Sequence, residues 1–162
     1  MNDMKKTKKT YSHLRQKSLG EILKYVANIT DPQIEEALSE QKKDPLKKIG
    51  EILLEKKLIK ESQLAEALAI QLELPFYNQL PVDEIDPSLV KDIPIQFCKD
   101  HLLLPIARDE FNVTLAVYDP LNISPMDDLR LLLSSNINLI VSPPNVIKNC
   151  INKIYEKAQD AS

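Results

Sequence analysis

Glycine is the scarcest common residue in this chain, with two among 162 residues, and there is no tryptophan, only two histidines and only two cysteines. A loop that cradles phosphate needs several glycines so that backbone amides can approach the ligand. With Gly20 and Gly50 thirty residues apart, neither a Walker A loop nor a dinucleotide fingerprint can be built. His13 and His101 are the only imidazoles, so acid-base and nucleophilic triads find no constellation. Cys98 and His101 form a Cys-x-x-His pair, but a closed zinc site needs four ligands, and Cys150 and His13 supply no second pair. Both cysteines fall on apolar helix faces and read as small core residues. The sequence has no long apolar run and no secretory leader, which predicts no direct membrane insertion and a reducing, cytoplasmic setting.

What is present is a duplication. Leu19-Gly20-Glu21-Ile22-Leu23 through Gln41 returns as Ile49-Gly50-Glu51-Ile52-Leu53 through Gln71 at an offset of 30, without a gap, and ten of 23 aligned positions are identical. Each copy reads as a helical hairpin, because Ile22, Leu23 and Val26, then Ile34, Ala37, Leu38 and Gln41, recur three and four apart. Ser18 with Glu21 and Thr30 with Gln33 fit a capping box, where the second copy has Lys48 and Lys60. A single hairpin of this size cannot bury its apolar face, so the two are expected to form one four-helix unit with Leu38 and Leu68 in its core. Gly20 and Gly50, in first turns, are expected to let the two hairpins approach closely; the sharper alternative is an anion resting on these helix starts.

The net charge of −3 conceals a basic start: residues 1 to 17 carry six Lys and Arg against Asp3 alone, about +5, leaving about −8 elsewhere. This segment has one aromatic and no apolar face, so it reads as a solvated tail, and nucleic-acid binding is not expected of it. After Gln71, Leu74-Pro75-Phe76 and then Pro81, Pro87 and Pro94 interrupt helix and mark a boundary. Asp86-Pro87 and Pro94 start brief helices, Leu102–Ala107 and Val113–Tyr118 read as an antiparallel hairpin, and Ser124-Pro125 opens a helix. Ile137–Val141 is a third strand and Pro143-Pro144 leads into a last amphipathic helix. The expected fold is α+β: a tail at 1–17, a four-helix tandem-repeat subdomain at 18–75, a small α+β subdomain with a roughly three-stranded sheet at 76–158, and a tail at 159–162.

The ordered series of tandem copies, Leu74-Pro75-Phe76, Ile85-Asp86-Pro87, Leu104-Pro105-Ile106 and Val117-Tyr118-Asp119-Pro120 resembles the N-terminal domain of type II secretion and type IV pilus assembly ATPases, the MshEN-like domains. The resemblance covers roughly Leu19 to Tyr155. It implies a non-catalytic interaction domain, without a cofactor, docking on the cytoplasmic part of an inner-membrane platform protein. It implies as the alternative a cyclic di-GMP receptor, whose ligand residues would be Ser18, Leu19, Gly20, Leu23, Leu38 and Gln41 in the first copy, with Lys48, Ile49, Gly50, Leu53, Leu68 and Gln71 in the second. Cyclic di-GMP-binding members of the family open each repeat with Arg-Leu-Gly and carry a further glycine. Here the arginine places hold Ser18 and Lys48, and the glycine places Ala27 and Lys57, so weak binding or none is expected.

Overall fold

The computed structural model describes residues 12–14 and 17–160. The repeats form four helices: α1 (Leu19–Ala27), α2 (Asp31–Lys43), α3 (Ile49–Glu55) and α4 (Glu61–Gln71). Their starts follow the capping chemistry. Ser18 Oγ accepts the Glu21 amide, and Thr30 and Gln33 exchange both bonds of a capping box. In the second copy a lysine ammonium cannot accept, and only the return half of each box remains: the Lys48 amide donates to Glu51 and the Lys60 amide to Gln63 Oε1.

One hydrophobic cluster joins all four helices through Ile22, Leu23, Ile34, Ala37, Ile52, Leu53, Leu64 and Leu68, so the hairpins do make one unit. The pairing within it is crossed. α1 lies chiefly on α4 and α2 on α3, an exchange of partners that buries each copy against the other. Two expectations are corrected. Leu38 is 41% exposed, whereas Leu68, its counterpart, is 8% exposed. The close approach allowed by glycine is inside each copy: a Cβ on Gly20 would stand 3.3 Å from Ile34 Cγ2, and one on Gly50 2.8 Å from Leu64 Cδ1.

The helical unit also reaches back before residue 18. Ser12–Leu14 form one 3-10 turn, Leu14 is buried in the four-helix cluster, and His13 meets the Tyr25 ring edge to face at 5.0 Å. The rest of the basic tail, residues 1–11 with 15 and 16, lies outside the described residues, as do residues 161 and 162 of the expected C-terminal tail.

Beyond α4, 3-10 turns at Val82–Glu84 and Pro87–Val90 precede α5 (Ile95–His101), with Asp86 Oδ1 accepting the Ser88 amide at the second turn. Strand β1 (Leu103–Arg108) pairs antiparallel with β2 (Asn112–Val117) across a tight turn held by Asp109 Oδ1, which accepts the amides of Phe111 and Asn112. Helix α6 (Ile123–Leu133) then crosses over to β3 (Asn136–Val141), which lies parallel to β2, giving sheet order β1-β2-β3. The proline-rich connector extends the sheet edge, the Tyr77 amide donating to Val141 O and the Val141 amide to Pro75 O. Helix α7 (Pro144–Asp160) buries Ile147, Cys150, Ile151 and Ile154 and runs two residues past the expected end at 158.

The sheet module has its own core, built on Leu103, Leu104, Leu115, Val117, Ile147 and Ile151, and α4 contributes Ala65 and Ala69 to it. Helix α4 therefore carries two apolar faces, one to each core. Cys98 is buried in the second core with Sγ 3.3 Å from the Tyr155 hydroxyl, which donates to Ile93 O, while His101 is exposed against the Phe97 ring. Burial pushes the Cys98 thiol up, keeping it protonated.

Candidate functional site

Where the second copy faces the turn after β2, the surface opens into a cavity of about 570 Å³. Both copies reach it. Leu19 and Ile49, equivalent in the duplication, line it together, as do the equivalent closing glutamines Gln41 and Gln71. Lys48, Gly50 and Leu68 complete the part anticipated from the sequence. Its apolar floor is extended by Leu54 and Leu64.

The other residues named from the sequence lie elsewhere. Leu23 and Leu53 are wholly buried in the four-helix core, and Gly20 is covered by Ile34. Ser18 is occupied as the cap of α1, and Leu38 faces solvent. The twelve positions do not converge, and the two copies differ in their neighbours: α4 of the second copy packs on β3 and gives Ala65 and Ala69 to the sheet module's core.

That module supplies what the repeat could not reveal, Tyr118, Asp119 and Leu121. Asp119 Oδ1 accepts the Leu121 amide at 2.9 Å, which holds the turn in place over the cavity. The signal in the sequence was the Tyr-Asp-Pro series itself, more than forty residues beyond the repeat. Glu51 and Glu61 complete the rim, so three carboxylates face one ammonium, that of Lys48. Burial, and then the charges of Glu61 and Asp119, push the Tyr118 phenol up to about 12; at neutral pH it is a neutral donor. Gln41 is committed in part, its Nε2 donating to Lys47 O at 3.3 Å and so tying the end of α2 to the α2–α3 connection.

The arrangement offers an apolar floor, neutral donors and a net acidic rim. It brings together no nucleophile with a base, and among the described residues no group of three or more His, Cys, Asp or Glu is disposed to hold a metal ion.

The MshEN domain model matches residues 72–161, more than half of the chain. The chain belongs to the MshEN domain family. Among curated proteins, this MshEN chain is 32% identical over 137 residues to the type IV pilus assembly ATPase PilB of Myxococcus xanthus, covering 85% of the chain and 24% of PilB. It is 29% identical over 111 residues to PilB of Thermus thermophilus, covering 68% of the chain and 12% of that protein. The chain thus spans about a quarter or less of the pilus ATPases it matches. Among solved structures, MshE with cdg superposes with a TM-score of 0.66 at 23% identity, over 86% of this chain and all of that one. The N-terminal domain of XpsE superposes with a TM-score of 0.60 at 19% identity, over 83% of this chain and 92% of that one. At these identities the superpositions establish the MshEN fold: helical repeats followed by a small α+β module. Among the described residues no helix is long and apolar enough to cross a membrane.

Proposed function

We propose that this MshEN chain is a non-catalytic docking module of a type II secretion or type IV pilus assembly ATPase system, bound to the cytoplasmic domain of an inner-membrane platform protein. The observation that carries the reading is the cavity between the second repeat and the Tyr118–Leu121 turn, whose floor is apolar and whose rim holds Glu51, Glu61 and Asp119 against Lys48. Such a surface suits a protein segment. Its ligand-facing residues in this reading are Leu19, Gln41, Lys48, Ile49, Gly50, Leu68 and Gln71, together with the Tyr118 turn. We further propose two subdomains, 18–75 joined by the buried Leu14, and 76–158 extended by the end of α7, interlocked by α4, which serves both cores.

The second reading, a cyclic di-GMP receptor, is favoured by the likeness to MshE, solved with cdg. The residues present fit that ligand poorly. A guanidinium offers a planar bidentate fork to phosphate or guanine, whereas Ser18 is spent on an amide and Lys48 is a point charge. Two lost charge-assisted contacts at about 1.5–3 kcal/mol each amount to roughly 3–6 kcal/mol, a hundredfold or more in affinity. The carboxylate rim adds repulsion to a dianion.

Two measurements on the same preparation test the proposal. Co-purification with the platform protein's cytoplasmic domain is expected, and titration calorimetry with cyclic di-GMP is expected to give no binding tighter than about 1 μM. Sub-micromolar dinucleotide binding without platform binding reverses the order of the two readings.

A further inference from the structure

The first copy has an ion pair whose equivalent the second cannot form. In the first, Lys24 at the end of α1 pairs with Asp31 at the start of α2. The equivalent residues thirty places on are Leu54, which lies in the cavity floor, and Glu61, which has no cation partner among the described residues. Elsewhere on the surface Glu21, Glu36, Glu40, Glu55, Asp83 and Asp127 are paired with lysine or arginine, while among the described residues others such as Glu35 and Asp128 are not; what sets the cavity apart is that its carboxylates surround an apolar floor. Among the described residues Glu51, Glu61 and Asp119 have no such partner, and Lys48 alone leaves the rim at about −2 at neutral pH.

Unpaired like charges around an apolar floor raise the local negative potential and draw in cations. The carboxylates do not converge on one point, since no three acidic groups among the described residues are placed to share an ion. They are spread around the rim of a cavity of about 570 Å³, within the range that receives small ligands and side-chain anchors.

We propose that this cavity receives a basic segment of the partner protein: an apolar side chain seated on Leu54, Leu64 and Leu68, flanked by lysine or arginine that pairs with Glu61 and Asp119. The proposal rests on the docking reading above and names the chemistry of the docked segment. Tyr118, neutral at physiological pH, is available to donate to a carbonyl of that segment.

The test uses the full chain and a short, acetylated, dye-labelled peptide of alternating leucine and lysine, read by fluorescence anisotropy, with a leucine–glutamate peptide as control. Saturable binding of the lysine peptide is expected, weakened about tenfold by Glu61→Gln with Asp119→Asn and by a similar factor on raising salt from about 0.05 to about 0.5 M. The Asp119→Asn change keeps a side-chain oxygen to accept the Leu121 amide, and an unchanged melting curve shows that the variant is folded. Equal binding of the glutamate peptide, or lysine-peptide binding that ignores the double variant, overturns the assignment. Peptide binding that appears only after residues 1–11 are removed gives the cavity to the chain's own basic start and also overturns it. If the platform domain binds while the peptide does not, this assignment fails and docking stands; if the peptide binds and the platform domain does not, docking fails and the basic-segment site stands.

Discussion

The two copies of the repeat share their glycines and their central Ile-Leu pair, yet they live in different surroundings. Helix α2 buries only Ile34 and Ala37, while α4 buries Leu64, Ala65, Ala67, Leu68, Ala69 and Ile70. The differences in sequence fall where the surroundings differ. Glu35 and Ser39 of the first copy are replaced by Ala65 and Ala69, which leaves a second face of α4 without polar groups so that the sheet module can lie on it, while the place of Glu40 is taken by Ile70, which joins the four-helix core. Identity, by contrast, did not guarantee a shared environment: Leu38 and Leu68 are the same residue at the same repeat position, 41% and 8% exposed. Both copies turn an apolar face to the four-helix core, and α4 has a second apolar face where the sheet module covers it.

Putting the first copy's residue into the second should break this division most severely. Ala65 is wholly buried in the sheet module's core, so Ala65→Glu places a carboxylate there without a partner, and a loss of more than about 3 kcal/mol is expected in chemical denaturation. The reciprocal Glu35→Ala, on an exposed face, should change stability by less than about 0.5 kcal/mol, helped slightly by helix propensity. Equal effects would mean that the two faces are not distinguished as described.

These contrasts mark how far the sequence could be read. Capping at Ser18 and Thr30, the β1–β2 hairpin, the third strand and the last helix follow from local chemistry and periodicity, and the structure has them. Periodicity states which side of a helix is apolar but not what covers it. Hence the crossed pairing of α1 with α4 and the solvent exposure of Leu38 were out of reach. The parallel placement of β3 depends on the α6 crossover rather than on the strand's own residues. Of the cavity lining drawn from the repeat, Leu19, Gln41, Lys48, Ile49, Gly50, Leu68 and Gln71 are among the positions named from the sequence, while Glu51, Leu54, Glu61 and Leu64 are not. The part drawn from Tyr118, Asp119 and Leu121 was not legible, because only the packing of the sheet module on α4 brings that turn beside Glu61.

The Tyr118 phenol sharpens the comparison at high pH, since only the second copy has a carboxylate beside it. Its pKa is pushed up to about 12 in the folded chain, against about 10 when unfolded. Between these values the unfolded chain has released a proton that the folded chain still holds. Stability from this group is therefore complete below pH about 10 and falls as pH rises toward about 12. The two-unit difference has a ceiling near 2.7 kcal/mol, and partial exposure lowers the expected loss to about 1–2 kcal/mol. Tyr118→Phe should lack that portion of the alkaline decline in denaturation measured at several pH values. Parallel decline of the two proteins would show that burial and the charges of Glu61 and Asp119 do not hold the phenol protonated.

The smallest expected effect lies at the ends of the first helix of each copy. Helix α1 ends on Asn28 at φ 56°, while α3 ends earlier, with Lys57 at φ 60°. The Lys57 turn is closed by the Leu58 amide donating to Leu53 O, the Schellman pattern whose left-handed position favours glycine. A lysine therefore occupies a left-handed position that glycine adopts without steric cost. Asparagine tolerates the left-handed region; a lysine there costs about 1 kcal/mol or more. Lys57→Gly should remove that strain, partly offset by the greater freedom of glycine in the unfolded chain, for a net gain of about 0.5 kcal/mol. Asn28→Gly has little strain to remove and should gain nothing measurable. Paired thermal melts decide between them: a gain confined to residue 57 supports strain in the second copy alone, and a loss there would mean that the lysine side chain contributes more than its backbone costs.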